Sequence, residues 1–353
     1  MFKQKGLSLV ELMIAITLGL ILISGVVKVF LNSKATYSTQ QALSRIQETG
    51  RLAIEFVSRD VRMAGYNGCG SRSQAGFAVT NTLNNATSFT WDFGEAVKGF
   101  TSSPTVAPLP NSHGLVPTPY YTASPLLTTD VLTLRGARGS GIQITQNNNS
   151  AQLFVSQVGS PVTVNGGCAD GSNRVSGLCQ SDVVMVTDCT KARIFQITNV
   201  TANGSVDVNV VHSNNNTFTP GNAISSWGGN SAPSSEIFQA GSELVYATSV
   251  TYFIGVGTSG RRSLFQSVNG VNSELLEGVE NMSVTYGEDT TTPDQDFSPD
   301  EYRLAKDVVS WPRVVSVRIE FLVASIEDRV LSDRQTYTFN GTSVTATDYR
   351  LRQ

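Results

Sequence analysis

Four cysteines, two histidines and one carboxylate set in an apolar run are the residues whose types and spacing could do chemistry. The cysteines are Cys69, Cys168, Cys179 and Cys189. They form no CxxC pair, and His113 and His212 are too few to complete a zinc site. An even cysteine count in an oxidising compartment reads as disulfides. Cys179 and Cys189 flank an expected straight strand, Asp182–Thr187. Ten residues of extended chain would part them by roughly 30 Å, whereas bridged Cα atoms lie about 4.4–6.8 Å apart. The turn-rich segment CADGSNRVSGLC can fold back on itself. The expected bridges are therefore Cys168–Cys179 and Cys69–Cys189. His113 lies in a Pro-rich loop, and His212 ends an expected strand. There is no GxSxG elbow, no HExxH and no Walker A loop, so no catalytic residue and no cofactor is assigned. The stretch GEDTTTPDQDFSPDE supplies Glu288, Asp289, Asp294, Asp296, Asp300 and Glu301. Hard oxygens could hold calcium, but the spaced glycine of an EF-hand is missing; the stretch reads as a solvated loop and no metal is assigned.

The remaining candidate is Glu11. Leu12 to Val27 is sixteen residues without a charge, and Leu7 to Val27 is 21 residues whose single charge is Glu11. As a helix this run spans about 30 Å, the thickness of a bilayer core. Lys3 and Lys5 precede it, which places the N-terminus in the cytoplasm. A secretory signal should show a small-x-small cleavage site after its core. Here the run continues through Lys28, Val29, Phe30 and Leu31. Neither a signal nor a plain anchor explains a carboxylate at the helix edge, which costs on the order of 2–3 kcal/mol and marks function.

The elements that position these residues follow from periodicity. From Ala35 to Ala64 there is no proline. Leu43, Ile46, Gly50, Ala53, Val57, Val61 and Ala64 recur at steps of three and four, with charged residues on the other sides, and Gly65 supplies a stop. One helix is expected from Leu7 to about Ala64, its first half in lipid and its second half laying an apolar stripe on a core. Residues 66–130 are rich in Ser, Thr, Asn and Pro and read as largely irregular. Strands are expected at Asp130–Arg135, Ala151–Val155, Asp182–Thr187, Ala192–Thr198 and Val206–Val211, then at Glu243–Ile254, Arg262–Val268, Val279–Tyr286 and Arg313–Val323. Many alternate apolar and polar residues, as half-buried antiparallel strands do. The fold class is α+β, a long helix packed on an antiparallel sheet with extra strands and loops. The 353 residues carry 15% charged side chains, against roughly 25% in an average soluble domain, and a net charge of −3. No basic surplus exists for nucleic-acid binding.

KGLSLVELMIAI resembles the class III signal of type IV pilins and type II secretion pseudopilins. SRDVRMAGYNGC (58–69), DVLTLRGA (130–137), VTDCTKARIFQIT (186–198), LLEGVENMSVTYG (275–287) and VVSVRIEFLVAS (314–325) resemble PilW-type minor pilins and, more loosely, J-type pseudopilins. The resemblance implies cleavage after Gly6 by a prepilin peptidase, methylation of the new amine of Leu7, and Glu11 as the fifth mature residue. Leu7 stands where the family usually has Phe. It also implies a division into a leader (1–6), a transmembrane assembly helix (7–31), its amphipathic continuation (32–65) and a β-rich pilin domain (66–353). Removal of Lys3 and Lys5 leaves 23 basic against 28 acidic residues, a net −5. The implied function is a structural one, without catalysis: priming pilus assembly and sitting at or near the fibre tip. The implied partners are other minor pilins, the major pilin, a tip adhesin and the inner membrane. The alternatives are a J-type pseudopilin of a type II secretion system and a membrane-anchored periplasmic enzyme.

Overall fold

The computed structural model describes residues 8–68, 77–101, 129–204, 206–214, 218–224, 226–291 and 296–353. His113 and Asp294 lie outside them, as do Gly6, Leu7 and Cys69. One α-helix, α1 (Leu9–Met63), opens the chain. Its 55 residues make it about 82 Å long. Strands β1 (Ala78–Asn81), β2 (Val97–Phe100), β3 (Val131–Gln146), β4 (Gln152–Ser156), β5 (Thr163–Val164) and β6 (Arg174–Val175) follow. Then come β7 (Val183–Thr187), β8 (Lys191–Gln196), β9 (Asn199–Asn203), β10 (Asp207–Val211), β11 (Glu243–Val256) and β12 (Arg262–Val268). The last are β13 (Val271–Glu277), β14 (Val279–Glu288), β15 (Glu301–Leu304), β16 (Val314–Val323), β17 (Thr336–Phe339) and β18 (Thr342–Thr345). An α+β fold is what results, with antiparallel pairing dominant.

The chain divides into two compact units, Met1–Arg51 with Leu322–Gln353, and Leu52–Phe321. In the first, apolar side chains from Leu9 to Leu31 are exposed around the helix, among them Leu12, Ile16, Leu20, Ile23, Val27 and Phe30. This helix is long and apolar enough to cross a membrane. Further along, Ala42 and Ile46 are buried, as are Leu322, Val323, Ala324 and Val330. Thr39 donates to the Val330 carbonyl at 3.4 Å, and Arg45 pairs with Glu327. Leu43, expected in the buried stripe, is exposed at 37%, and Ala42 takes its place. The buried positions Ala42, Ile46, Ala53, Val57 and Asp60 keep helical spacing, but the stripe is rotated by one residue at its start.

The second unit is built on an eleven-stranded sheet with the path β1-β8-β7-β11-β3-β4-β10-β9. Strand β11 is its axis: β3 lies along one side, and β7 then β12 along the other. Pairing is antiparallel except between β1 and β8. The sequence suggests half-buried strands, but all five residues of β7 are buried, and five of the six in β8. Val184, Val186 and Phe195 enter one apolar cluster, while Val183, Met185 and Ile194 enter another. The sheet is therefore covered on both faces here, which is why VVMVT shows no polar alternation. Residues Leu83 and Phe93 join the second cluster from the segment expected to be irregular, and that segment also contributes β1 and β2. The expected strands are otherwise present within one or two residues at most ends, with β3 extended to Gln146.

Candidate functional site

Three places in the described chain carry polar groups arranged with purpose: the start of α1, its C-terminal docking point, and the cysteine loops. At the start of α1 the main-chain N–H of Ser8 donates to Glu11 Oε2 at 3.1 Å, and that of Glu11 donates to Ser8 Oγ at 3.2 Å. This is a reciprocal capping box, S-x-x-E, which satisfies two orphan donors of the first turn. Ser8 was not singled out from the sequence, although the Ser8–Glu11 spacing is its signature. Glu11 thus has a local partner for one oxygen, and the negative carboxylate sits at the positive end of the helix dipole.

At the other end, Asp60 is a buried carboxylate on the core-facing stripe of α1, with its side chain 4% exposed. Its Oδ2 accepts from the Tyr252 hydroxyl at 2.7 Å and from Gln266 Nε2 at 3.2 Å. Its Oδ1 pairs with Arg138. Gln266 Nε2 also reaches the Tyr252 hydroxyl, at 2.8 Å. One carboxylate on the helix therefore gathers β3, β11 and β12. Burial, followed by the hydrogen bond to Asp60 and its charge, raises the Tyr252 phenol well above its usual range, so it stays a donor. The cavity beside this cluster is about 20 Å³, room for a single water and no ligand. This is a helix dock. Asp60→Ala removes the closer acceptor of the fully buried Tyr252 hydroxyl, leaving it the Phe56 carbonyl at 3.3 Å, and takes an acceptor from Gln266 Nε2, while Arg138, at 40% exposure, can turn to solvent. The expected loss is about 2–3 kcal/mol, or roughly 3–5 °C in the thermal midpoint of the full chain in micelles. Glu55→Ala, on the exposed side of the same helix, should leave the midpoint in place.

Just past the helix the chain touches β3 backbone to backbone. Gly65 has φ +76° and closes the helix, its N–H donating to the Arg135 carbonyl at 2.8 Å. The Ala137 N–H donates to the Tyr66 carbonyl at 2.6 Å. Gly136 lies between these two bonds.

The Cys168–Cys179 disulfide is present, with Cα atoms 5.8 Å apart. It closes the short β5–β6 pair as the turn-rich sequence implies. Cys189 lies in the β7–β8 turn at φ +69°. The expected Cys69–Cys189 bridge falls on Cys69, outside the described residues. A half-open cleft of about 590 Å³ runs past this turn, between Thr187–Lys191 and Ser234–Glu243. Asp188 there is locked by its own turn: burial pushes its carboxyl up, but hydrogen bonds from Lys191 and Thr190 outweigh it and leave the pKa lowered. It is held as an ion by Lys191, not poised as a base. His212, the residue just after β10, is fully buried. Among the described residues no group of three metal-ligating side chains assembles. In the acidic stretch, Glu288 and Asp289 are buried rather than solvated. Glu288 accepts from the Val309 and Ser310 N–H groups, and Asp289 from that of Phe297. Asp300 gathers Thr290 and Thr291. These carboxylates brace loops.

Residues 251–353 match the family model described as Type IV Pilus-assembly protein W, and residues 1–27 match the Prokaryotic N-terminal methylation motif. The chain matches no curated protein and no solved structure. Both families are of pilin or pilus-assembly type, and neither is an enzyme family. Together they support a type IV pilus-associated, pilin-like protein, in agreement with the resemblance carried by the sequence. The first match includes Tyr252 and Gln266, two of the three residues that receive Asp60.

Proposed function

We propose that this protein is a minor pilin that helps prime type IV pilus assembly and enters the fibre at or near its tip with other minor pilins. The observation that carries the reading is the pairing of a methylation motif, at the head of a membrane-length helix bearing Glu11 in its first turn, with a PilW match in the sheet region. A prepilin peptidase cleaves after Gly6 and methylates Leu7. Residues 7–31 hold the chain in the inner membrane, with 66–353 in the periplasm before assembly and outside the cell afterwards. Other minor pilins, the major pilin and a tip adhesin are its partners, and it does no chemistry. The test is a deletion strain complemented with a tagged chain. Surface pili should fall sharply in the deletion, and the tag should appear as a trace component of sheared fibres. Normal piliation with loss of protein secretion would assign the chain to a secretion pseudopilus instead.

The disulfides belong to the same reading, since the periplasm is oxidising. With Cys168 joined to Cys179, only Cys69 remains for Cys189. Such a bridge would tie the end of α1 to the β7–β8 turn and stabilise the fold by about 3–5 kcal/mol in the chain-entropy view. Peptide mapping without reductant should return the 168–179 and 69–189 pairs; a Cys179–Cys189 peptide would refute the assignment.

A further inference from the structure

Residues 28–250 lie outside both family matches, and they contain an unusual buried group. The His212 imidazole stacks on Trp227 with ring centres 4.1 Å apart and planes 19° from parallel. Phe195 meets the imidazole edge-on at 5.6 Å. The Arg193 guanidinium lies 4.8 Å from the centre of the Trp227 ring. All of these side chains are nearly or fully buried. Among the described residues, both nitrogens of His212, Trp227 Nε1 and Arg193 Nε find no hydrogen-bond partner. A neutral imidazole tolerates such a place as an aromatic ring does, but an imidazolium has two donors and a charge to satisfy.

The charges facing this stack are few. On β8, Arg193 is the near cation, and Lys191 lies over Phe238 further along. On the short turn Ser234–Glu236 the one carboxylate is Glu236. It is already engaged: Oε1 lies 3.4 Å from Arg193, and Oε2 takes the Gly228 N–H at 3.1 Å. From Ala151, just before β4, and from the Asn222 side, the main chain and amides are what the described residues present, through the Ala151 carbonyl and Asn222 Nδ2. A proton on His212 would therefore place a second cation beside Arg193 with no free anion among the described residues to receive it.

We propose that the His212–Trp227–Arg193 stack is an acid-released latch holding Trp227–Phe238 on the sheet. The two buried rings at the ends of that segment, Trp227 and Phe238, anchor it. The main-chain N–H of Trp227 donates to the Ser150 carbonyl at 3.2 Å, and that of Phe238 to Asn148 Oδ1 at 2.8 Å. Both aromatic rings belong to the apolar cluster with Leu153, Val155, Val208 and Val210. Burial, together with the Arg193 charge, lowers the His212 pKa from 6.5 to about 4. The closed latch thus binds its proton more weakly than the open one. Closure is complete above about pH 6.5 and weakens progressively down to about pH 4. A shift of this size corresponds to an opening constant that rises on the order of a hundredfold across that window. An exported protein passing into acidic surroundings would then uncover this part of its core while the rest of the sheet stays intact.

Hydrogen exchange on the full chain in micelles, corrected for intrinsic rates, tests the latch at pH 7.5 and in steps to 4.5. In wild type, opening of Trp227–Phe238 should rise about a hundredfold, with a midpoint between pH 4 and 6.5, while β3 and β11 peptides stay protected. His212→Phe keeps the ring and loses the titration, so its segment should remain closed throughout. The proposal is overturned if the wild-type segment does not open, if β11 opens with it, or if His212→Phe opens just as wild type does. That last result would show that a group other than His212 carries the response. If His212→Phe is unfolded at pH 7.5, His212→Gln takes its place. If neither folds, wild type decides alone: a midpoint outside the stated range overturns the proposal.

Discussion

Gly136→Val should strongly destabilise the fold. A Cβ at this position would lie 2.8 Å from the Met63 carbonyl oxygen, 3.1 Å from that of Tyr66 and 3.3 Å from the Gly65 nitrogen. All three are main-chain atoms, so no side-chain rotation can relieve the clash. Nor can the two segments part cheaply, because the bonds from Gly65 to Arg135 and from Ala137 to Tyr66 clamp them on either side. Valine also adds two methyl groups beyond the Cβ. The expected cost is at least about 3 kcal/mol, a large share of the 5–15 kcal/mol that holds a typical domain. Protease resistance and thermal unfolding of the full chain in micelles measure it. Ser273→Val, on an exposed strand position, should behave as wild type. A Gly136→Val chain as resistant as wild type would show that the helix end and β3 do not meet in this way.

Glu11→Ala should be cleaved after Gly6, should fold and should keep its disulfides, yet should initiate few pili. The carboxylate stands one turn from the new amine of Leu7, at spacing i, i+4. On the proposed pilin reading, that amine, or a neighbouring subunit's, would neutralise the charge inside the low-dielectric environment of an assembled bundle of such helices, where an unpaired carboxylate is costly. The capping box supplies a competing local role, worth about 0.5–2 kcal/mol of helix stability, and Glu11→Gln separates the two. Glutamine can keep the bond to the Ser8 N–H but carries no charge. If charge pairing drives assembly, Gln should fail as Ala does; if the cap is what matters, Gln should restore pili. Counting surface pili at native abundance of processed protein reads the result. Gly6→Val, which blocks close approach of the peptidase to the bond, should instead leave the full-length precursor in the membrane. Wild-type piliation by Glu11→Ala would refute the charge role, leaving a carboxylate that merely reaches the headgroup edge.

Local sequence determined the parts of this protein that depend on near neighbours. The apolar run, the three-and-four spacing and Gly65 set the limits of α1, which spans Leu9–Met63. Alternation and β-branched runs located β3, β7, β11, β12, β14 and β16. The turn-rich spacing between Cys168 and Cys179 was enough to pair them, because an eleven-residue separation closes within its own loop. Short strands such as β1, β5 and β15 carried too few residues to show a period.

Tertiary structure decided what depends on distant partners. Periodicity shows that α1 has an apolar stripe, but only its packing partner selects Ala42 over Leu43. An aspartate inside a charged stretch, SRDVRM, looks solvated until Tyr252, Gln266 and Arg138, 78 to 206 residues away, surround it. Burial of β7 on both faces needed a second cluster recruited from residues before β2. His212 reads as a strand-end residue; it becomes a buried, stacked ring because Trp227 returns across it. Hydrogen bonds and stacking act over a few ångströms in space, and a single chain records only separation along its length.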